Sequence, residues 1–293
     1  MCIRDSHTAD SLASQTEQPG AHAAGQHQVT GEDGPYRRIM GIDIGGTGMK
    51  GGIVRVGEHP KSGQLKGDRF RIPTPQPALP ESVSQTLESS AAELDARKGA
   101  PSPDAPVGVC FPSIIQHGVC LSANNIDPSW IGTDVQGLFS EHLGRPVRVI
   151  NDADAAGLAE SRFGAGKGVA GSVLTITLGT GIGAAMVHDG ILVPNFELGS
   201  LEVDGVMAEK RASASARERE DLDWPAYAER LQRYFTYVER IFSPDLFIVG
   251  GGISKRPDDF LPLLDLRTPI VPAELRNNAG IVGAALYAAE SGA

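Results

Sequence analysis

The stretch Ile42-Asp43-Ile44-Gly45-Gly46-Thr47-Gly48-Met49-Lys50-Gly51-Gly52-Ile53-Val54 decides the fold because a second stretch of the same design lies in the other half of the chain. That second stretch is Leu174-Thr175-Ile176-Thr177-Leu178-Gly179-Thr180-Gly181-Ile182-Gly183-Ala184-Ala185-Met186-Val187. Each reads as strand, tight Gly-Thr-Gly turn, strand. Glycine lets such a turn take φ > 0 and lets backbone approach a ligand with no Cβ in the way. The N–H groups of the turn then form a concave anion site. Two such hairpins, each behind an apolar strand, predict two halves that grip one polyphosphate tail.

Strands and helices alternate on either side of these hairpins. A short strand is expected at Phe70-Arg71-Ile72, and a helix over Glu81 to Arg97 with Val83, Leu87, Ala91 and Leu94 on one face. Val107 to Phe111 and Val147 to Ile150 read as buried strands, the second ending at Asn151-Asp152 before a helix from about Ala153 to Phe163. In the second half, Asp189-Gly190 marks a hairpin turn. A charged stretch, Glu209 to Asp223, precedes a long helix whose stripe Trp224, Tyr227, Leu231, Phe235, Val238 and Phe242 is core packing. Asp245 to Val249 is a buried strand ending at Gly250-Gly251-Gly252, and an Ala-rich helix over Ala279 to Ala289 closes the chain. This alternation predicts an α/β protein with two lobes. The N-terminal lobe spans 37–168 and is completed by the C-terminal helix 279–291; the second lobe spans 169–278. Ligands in such sheets bind beyond the carboxyl ends of strands, where Asn151-Asp152, Gly179 to Gly181 and Gly250 to Gly252 all fall.

Composition narrows the function. The net charge of −10 argues against a nucleic-acid binder, which needs a basic footprint. No apolar run approaches the ~20 residues of a membrane span. The three cysteines, Cys2, Cys110 and Cys120, fit neither a zinc knuckle nor a disulfide framework, and a reducing cytoplasm suits them. Residues 1–36 lack the apolar core of a secretory signal; rich in Ser, Gln, His, Ala and Gly, they are expected to be a disordered tail.

Phosphoryl transfer to an alcohol needs a phosphate cradle, a metal, an oriented hydroxyl and a base for its proton. The two Gly-Thr-Gly turns supply cradles. Asp43, at a strand end, suits Mg²⁺ directly or through water, since Mg²⁺ takes one or two carboxylates plus phosphate oxygens. Asp152 is placed to accept the hydroxyl proton, Asn151 offers amide groups to sugar hydroxyls, and Glu197 suits a vicinal diol. Each also has a structural explanation. Asp152 suits an N-cap, Asp43 a turn, Asp154 the first turn of a helix, and Glu197 and Glu202 a solvated surface. The joint placement at strand ends favours the chemical reading.

The segments Gly41 to Gly51, Ser122-Ala123-Asn124-Asn125-Ile126-Asp127-Pro128-Ser129-Trp130, Asn151 to Glu160, and Leu192-Val193-Pro194-Asn195-Phe196-Glu197-Leu198-Gly199 resemble the ROK sugar kinase family. Val249 to Lys255 and Pro272 to Ala285 match as well, so the resemblance runs from about Arg38 to Ala288. Within the family the chain is most similar to actinobacterial polyphosphate glucokinases. The resemblance implies the actin-like ATPase (ribonuclease H-like) fold and transfer of a phosphoryl group to the 6-hydroxyl of glucose. The donor it implies is polyphosphate, ATP or both, with Mg²⁺, and it also implies a homodimer. It makes Asp152 the general base and assigns Asn124, Asn125, Asn151, Glu197 and Ser200 to the sugar. It assigns Asp43, Gly45, Gly46, Thr47, Lys50, Gly179 to Gly181 and Gly250 to Gly252 to the donor and its metal, Thr180 included.

Three departures stand out. Ser200 replaces a histidine that hydrogen-bonds the sugar in the family pattern, and Ser113 replaces a glycine. The cysteine-rich zinc motif of many members is absent, so no structural zinc is expected. Ser200 leaves room for an axial 2-hydroxyl, as in mannose. A polyanionic donor needs positive charge, for which Lys167, Lys210, Arg211, Arg217, Arg219, Arg230, Arg233, Lys255 and Arg256 are candidates. A solvated helix face is an equal account of Arg230 and Arg233. The competing reading is a sugar sensor with weak or no kinase activity; retention of Asp43, Asp152 and both glycine turns argues against it.

Overall fold

The computed structural model describes residues 29–31 and 34–291. The first strand, β1 (Val29–Gly31), pairs with the start of β2 (Gly34–Ile44), inside the stretch expected to be a disordered tail; the remainder of that tail, with Cys2, lies outside the described residues. From β2 the chain turns through the first glycine segment into β3 (Gly48–Gly57) and then β4 (Phe70–Pro73). Helix α1 (Pro80–Asp95) leads to β5 (Val107–Phe111). A short hairpin, β6 (Ile115–Gln116) and β7 (Val119–Cys120), and α2 (Val135–Leu143) lead to β8 (Val147–Asn151) and α3 (Asp152–Phe163). These strands form a sheet of order β4-β3-β2-β5-β8, antiparallel through β4-β3-β2 and parallel through β2-β5-β8.

The second half repeats this plan. Strands β9 (Ser172–Leu178), β10 (Ile182–His188) and β11 (Ile191–Phe196) form the antiparallel side of a second sheet. The small hairpin β12 (Glu202–Val203) and β13 (Val206–Met207) precedes two short helices, α4 (Ala208–Ala212) and α5 (Ala214–Arg219). Long helix α6 (Trp224–Phe242), strands β14 (Leu246–Gly250) and β15 (Ile270–Pro272), and α7 (Ala279–Glu290) complete the chain. The sheet order is β11-β10-β9-β14-β15, with β9, β14 and β15 parallel. Counted from β2 and from β9, both sheets run third, second, first, fourth, fifth, so the two glycine turns occupy equivalent positions.

Packing follows the apolar pattern. Trp130, Phe111 and Phe139 meet edge to face under α1 and α2, the first two rings 4.7 Å apart. In the second lobe the α6 stripe covers the sheet, with Phe235 5.2 Å from Phe247. Helix α7 returns to the first sheet, where Ile281, Val282 and Ala285 cluster with Ile39, Val54 and Ile150. Its thin Ala-rich face permits close approach: a Cβ at Gly108 would strike the Ala284 carbonyl. The charged stretch 209–223 is helical over most of its length because Ala208, Ala212 and Ala216 give α4 and α5 a buried side.

Candidate active site

Helix α3 starts where β8 ends, and the cap at that junction is Asn151. Its Oδ1 accepts the N–H groups of Ala153 and Asp154 at 2.8 and 3.1 Å, while its Nδ2 donates to the Ser113 carbonyl at 2.9 Å. Asp152 is therefore not required as the N-cap, although its Oδ1 also accepts from Ala153 N at 2.8 Å. The Asp152 carboxyl opens on the cleft. Protein around it withdraws water, and the carboxylates of Asp43 and Glu197 add repulsion, which together push its pKa up to about 6.

Asp152 borders two cavities. One, of about 500 Å³, is lined on one side by Asn124, Asn125, Asn151 and Glu197. Gly179, Thr180 and Gly181 of the second glycine turn reach the same cavity, joined by Lys210 and Arg219. The other, of about 340 Å³, is lined by Asp43, Gly45, Lys50, Gly251, Gly252 and Lys255, with Arg276 at its edge. The first presents amides and carboxylates suited to a polyol. The second presents cations and glycines suited to phosphate.

Lys50 faces Asp43 across the β2–β3 ladder, Nζ to Oδ2 at 2.7 Å. The Cys110 thiol donates to Asp43 Oδ1 at 3.4 Å; burial and that carboxylate push the thiol pKa well up, so Cys110 stays protonated and unreactive. The N-terminal turn of α7 presses on the same carboxylate, since a Cβ at Gly280 would lie 2.8 Å from Asp43 Oδ2.

The glycine turns differ from expectation in why they need glycine. None of Gly45, Gly46, Gly48, Gly179 and Gly181 has positive φ; close approach of backbone excludes a side chain at Gly46, and the Glu209 carboxylate crowds Gly181. A Cβ at Gly46 would lie 2.6 Å from the Asn125 carbonyl, which presses the first turn against the loop that carries Asn124 and Asn125. A Cβ at Gly181 would lie 2.6 Å from Glu209 Oε2. Only Gly251 among the expected donor glycines is left-handed, at φ 83°.

Some expected residues stay outside both cavities. Gly46, Thr47 and Gly250 support the turns without lining them. Ser200 also lines neither: the turn Leu198–Ser200 buries Leu198 and Gly199 and sends Ser200 outward, its N–H on the Glu197 carbonyl at 3.0 Å. Ser113 does line the first cavity and is buried, its hydroxyl donating to the Ser122 carbonyl at 2.7 Å, so it staples the start of the loop that carries Asn124 and Asn125. Of the expected basic path, Arg230 pairs with Glu220 at 2.6 Å and Arg233 with Asp204 at 3.0 Å. Arg217 stacks on Trp224. Lys210, Arg219 and Lys255 remain at the cavities.

Two site residues were not expected. Glu209, read as part of a charged stretch, lies against Gly181 and Gly199 and, after burial, is the next cause of the raised Glu197 pKa. Arg276 holds a left-handed backbone at φ 50° at the edge of the second cavity. No sequence signal marked Arg276; the Glu209-Lys210 pair just after a strand end was a weak signal for the first.

Residues 39–194 match the ROK family model, just over half of the chain. The chain belongs to the ROK family. It is 48% identical over 251 residues to the polyphosphate glucokinase of Mycobacterium tuberculosis, covering 85% of this chain and 91% of that protein. The crystal structure of an inorganic polyphosphate/ATP-glucomannokinase from Arthrobacter sp. strain KM is 64% identical, with a TM-score of 0.81 over 87% of this chain and 99% of that one. A ROK family glucokinase from Streptomyces griseus, solved with glucose and AMPPNP, shares the fold at 23% identity and a TM-score of 0.70, over 85% of this chain and 98% of that one. The expected actin-like fold is thus that of its structural neighbours. No helix among the described residues is long and apolar enough to cross a membrane.

Proposed function

We propose that this ROK-family protein is a sugar kinase that phosphorylates the 6-hydroxyl of glucose with polyphosphate or ATP as donor. The observation that carries this reading is the position of Asp152 between a polyol-suited cavity and a phosphate-suited one. The 48% identity to a polyphosphate glucokinase supports the same acceptor and donor.

Glucose occupies the first cavity, its hydroxyls on Asn124, Asn125, Asn151, Glu197 and Glu209. Asp152 removes the proton of the 6-hydroxyl. That oxygen attacks the terminal phosphorus of the donor, and the bond from this phosphorus to the bridging oxygen of the remaining chain breaks. Desolvation by the protein around Asp152 serves this step, because a base whose pKa sits near working pH both holds the proton and is free to take it. Gly179 to Gly181, Gly251 and Gly252 offer backbone to the donor, and Lys50 and Lys255 offer charge.

The donor set fits Mg²⁺. Asp43 brings one carboxylate to the phosphate-side cavity, and Mg²⁺ takes one or two carboxylates with phosphate oxygens. Asp43 would hold the ion directly or through water, and the ion would neutralise charge developing on the donor.

Mannose is a second acceptor in this reading, supported by the 64% identity to a glucomannokinase. The experiment is a coupled assay of hexose 6-phosphate formation with Mg²⁺, pairing glucose or mannose with polyphosphate or ATP. Turnover of glucose with either donor supports the reading. Folded protein that turns over neither sugar with either donor contradicts it and favours a sensor.

A further inference from the structure

Asn195 joins three parts of the molecule that sequence separates. It lies in β11 at a bulge, where Met186 faces Val193 and Ala184 faces Phe196, so Ala185 is opposed by both Pro194 and Asn195. Its φ is 64°, in the left-handed region that asparagine tolerates better than most residues. A bulge re-aims the side chain it carries. Here the amide leaves the second sheet and pairs with the backbone of Ile115: Oδ1 accepts Ile115 N–H at 3.2 Å and Nδ2 donates to the Ile115 carbonyl at 2.9 Å.

The third part is α3, through Asp154. Asn195 N–H donates to Asp154 Oδ2 at 2.9 Å. Asp154 lies in the first turn of α3, as expected, and is only 1% exposed. Its Oδ1 is buried and has no hydrogen-bond partner. Each member of the cluster is two residues from a group on the sugar side: Asp154 from Asp152, Asn195 from Glu197, and Ile115 from Ser113, whose carbonyl holds Asn151.

We infer that Asp154 and Asn195 are positioning residues for the acceptor sugar, locking Glu197, the loop after β5 and the first turn of α3 in one geometry. The inference rests on the reading of Glu197 as a sugar ligand. The bonding needs an acceptor at position 154 and no charge. Burial, with Asp152 and Glu197 nearby, pushes the Asp154 carboxyl up to about 7 against the Asn195 N–H bond, and Oδ1 offers an anion nothing to bind. Asparagine is therefore a sufficient replacement.

The test compares Asn195→Gly, Asp154→Asn, Asp154→Ala and Glu197→Gln. Glycine at 195 keeps the left-handed backbone and the N–H to Asp154 but removes both bonds to Ile115. The readouts are KM for glucose, KM for donor, and Kd for glucose by calorimetry without donor. We expect Asn195→Gly and Asp154→Ala to raise KM and Kd for glucose about tenfold, and Asp154→Asn to stay within about twofold. Donor KM stays unchanged in all three. Glucose Kd unchanged in Asn195→Gly overturns the inference. So does Asp154→Asn failing as Asp154→Ala does, or sugar and donor constants moving together with a lowered Tm. Unchanged glucose binding in Glu197→Gln instead overturns the sugar-site reading itself.

Discussion

Asn151 caps α3 through Oδ1 and leaves the neighbouring Asp152 turned to the cleft, so two adjacent polar residues divide the structural and chemical roles of one junction. An aspartate that carried the cap would be held as an anion by two N–H groups, which lowers a carboxyl pKa. Asp152 accepts one, from Ala153, and its pKa is pushed up to about 6. The division makes removal of the carboxylate charge separable from loss of the fold.

Asp152→Asn accordingly lowers kcat by about 10²–10⁴, the range for a lost general base, while glucose Kd measured by calorimetry stays close to wild type. A drop in Tm of many degrees, with sugar binding lost in proportion to turnover, would make Asp152 a structural residue instead.

The raised Asp152 pKa sets the acid limb of the pH profile. The base must be ionised, so kcat/KM for glucose rises through about pH 6 and levels above it. Stability runs the other way. Folding favours the protonated acid when the folded pKa exceeds the unfolded one, so this stabilisation is full below the unfolded value and is lost as pH rises through about 6. Asp152→Asn then melts higher than wild type at about pH 8 and no higher at about pH 4. Thermal melts at the two pH values check the sign.

In the proposed function the Asp43–Lys50 pair, at 2.7 Å, would tie metal and donor binding together. Asp43→Asn raises the Mg²⁺ concentration for half-maximal rate, and Lys50→Ala raises donor KM, each by about tenfold or more, with KM for glucose little changed. Titrations of rate against Mg²⁺ and against polyphosphate separate the two. A rise confined to glucose KM would place the pair on the wrong side of the cleft.

Ser200 lines neither cavity, whereas Glu209 lines the one proposed to take the sugar. Ser200→His therefore leaves KM for glucose within about twofold, whereas Glu209→Gln raises it by about tenfold, as expected for a charged hydrogen-bond acceptor. A marked fall in KM in Ser200→His would mean that the Leu198–Ser200 turn rotates when sugar binds.

Much of this was legible in the sequence, where the physics is local. Apolar runs and glycine turns gave the two hairpins, and strand ends located Asn151-Asp152 and Gly251-Gly252. What failed depends on contacts distant in sequence. The glycine at 46 answers to a carbonyl at Asn125, and the burial of Asp154 answers to Asn195. Mixed charge hid α4 and α5, whose small alanine face is too weak a periodic signal. Ser200 was read from a linear motif, but a tight turn decides which of three consecutive residues faces inward.

In the proposed function, Asp152 carries phosphoryl transfer to the glucose 6-hydroxyl at the meeting of the two cavities. The most direct measurement is phosphorus NMR of wild type and Asp152→Asn incubated with glucose, Mg²⁺ and polyphosphate or ATP. We predict a growing glucose 6-phosphate signal with wild type and none above background with the folded variant. Equal product from the two proteins, or no product from wild type with either donor, would contradict it.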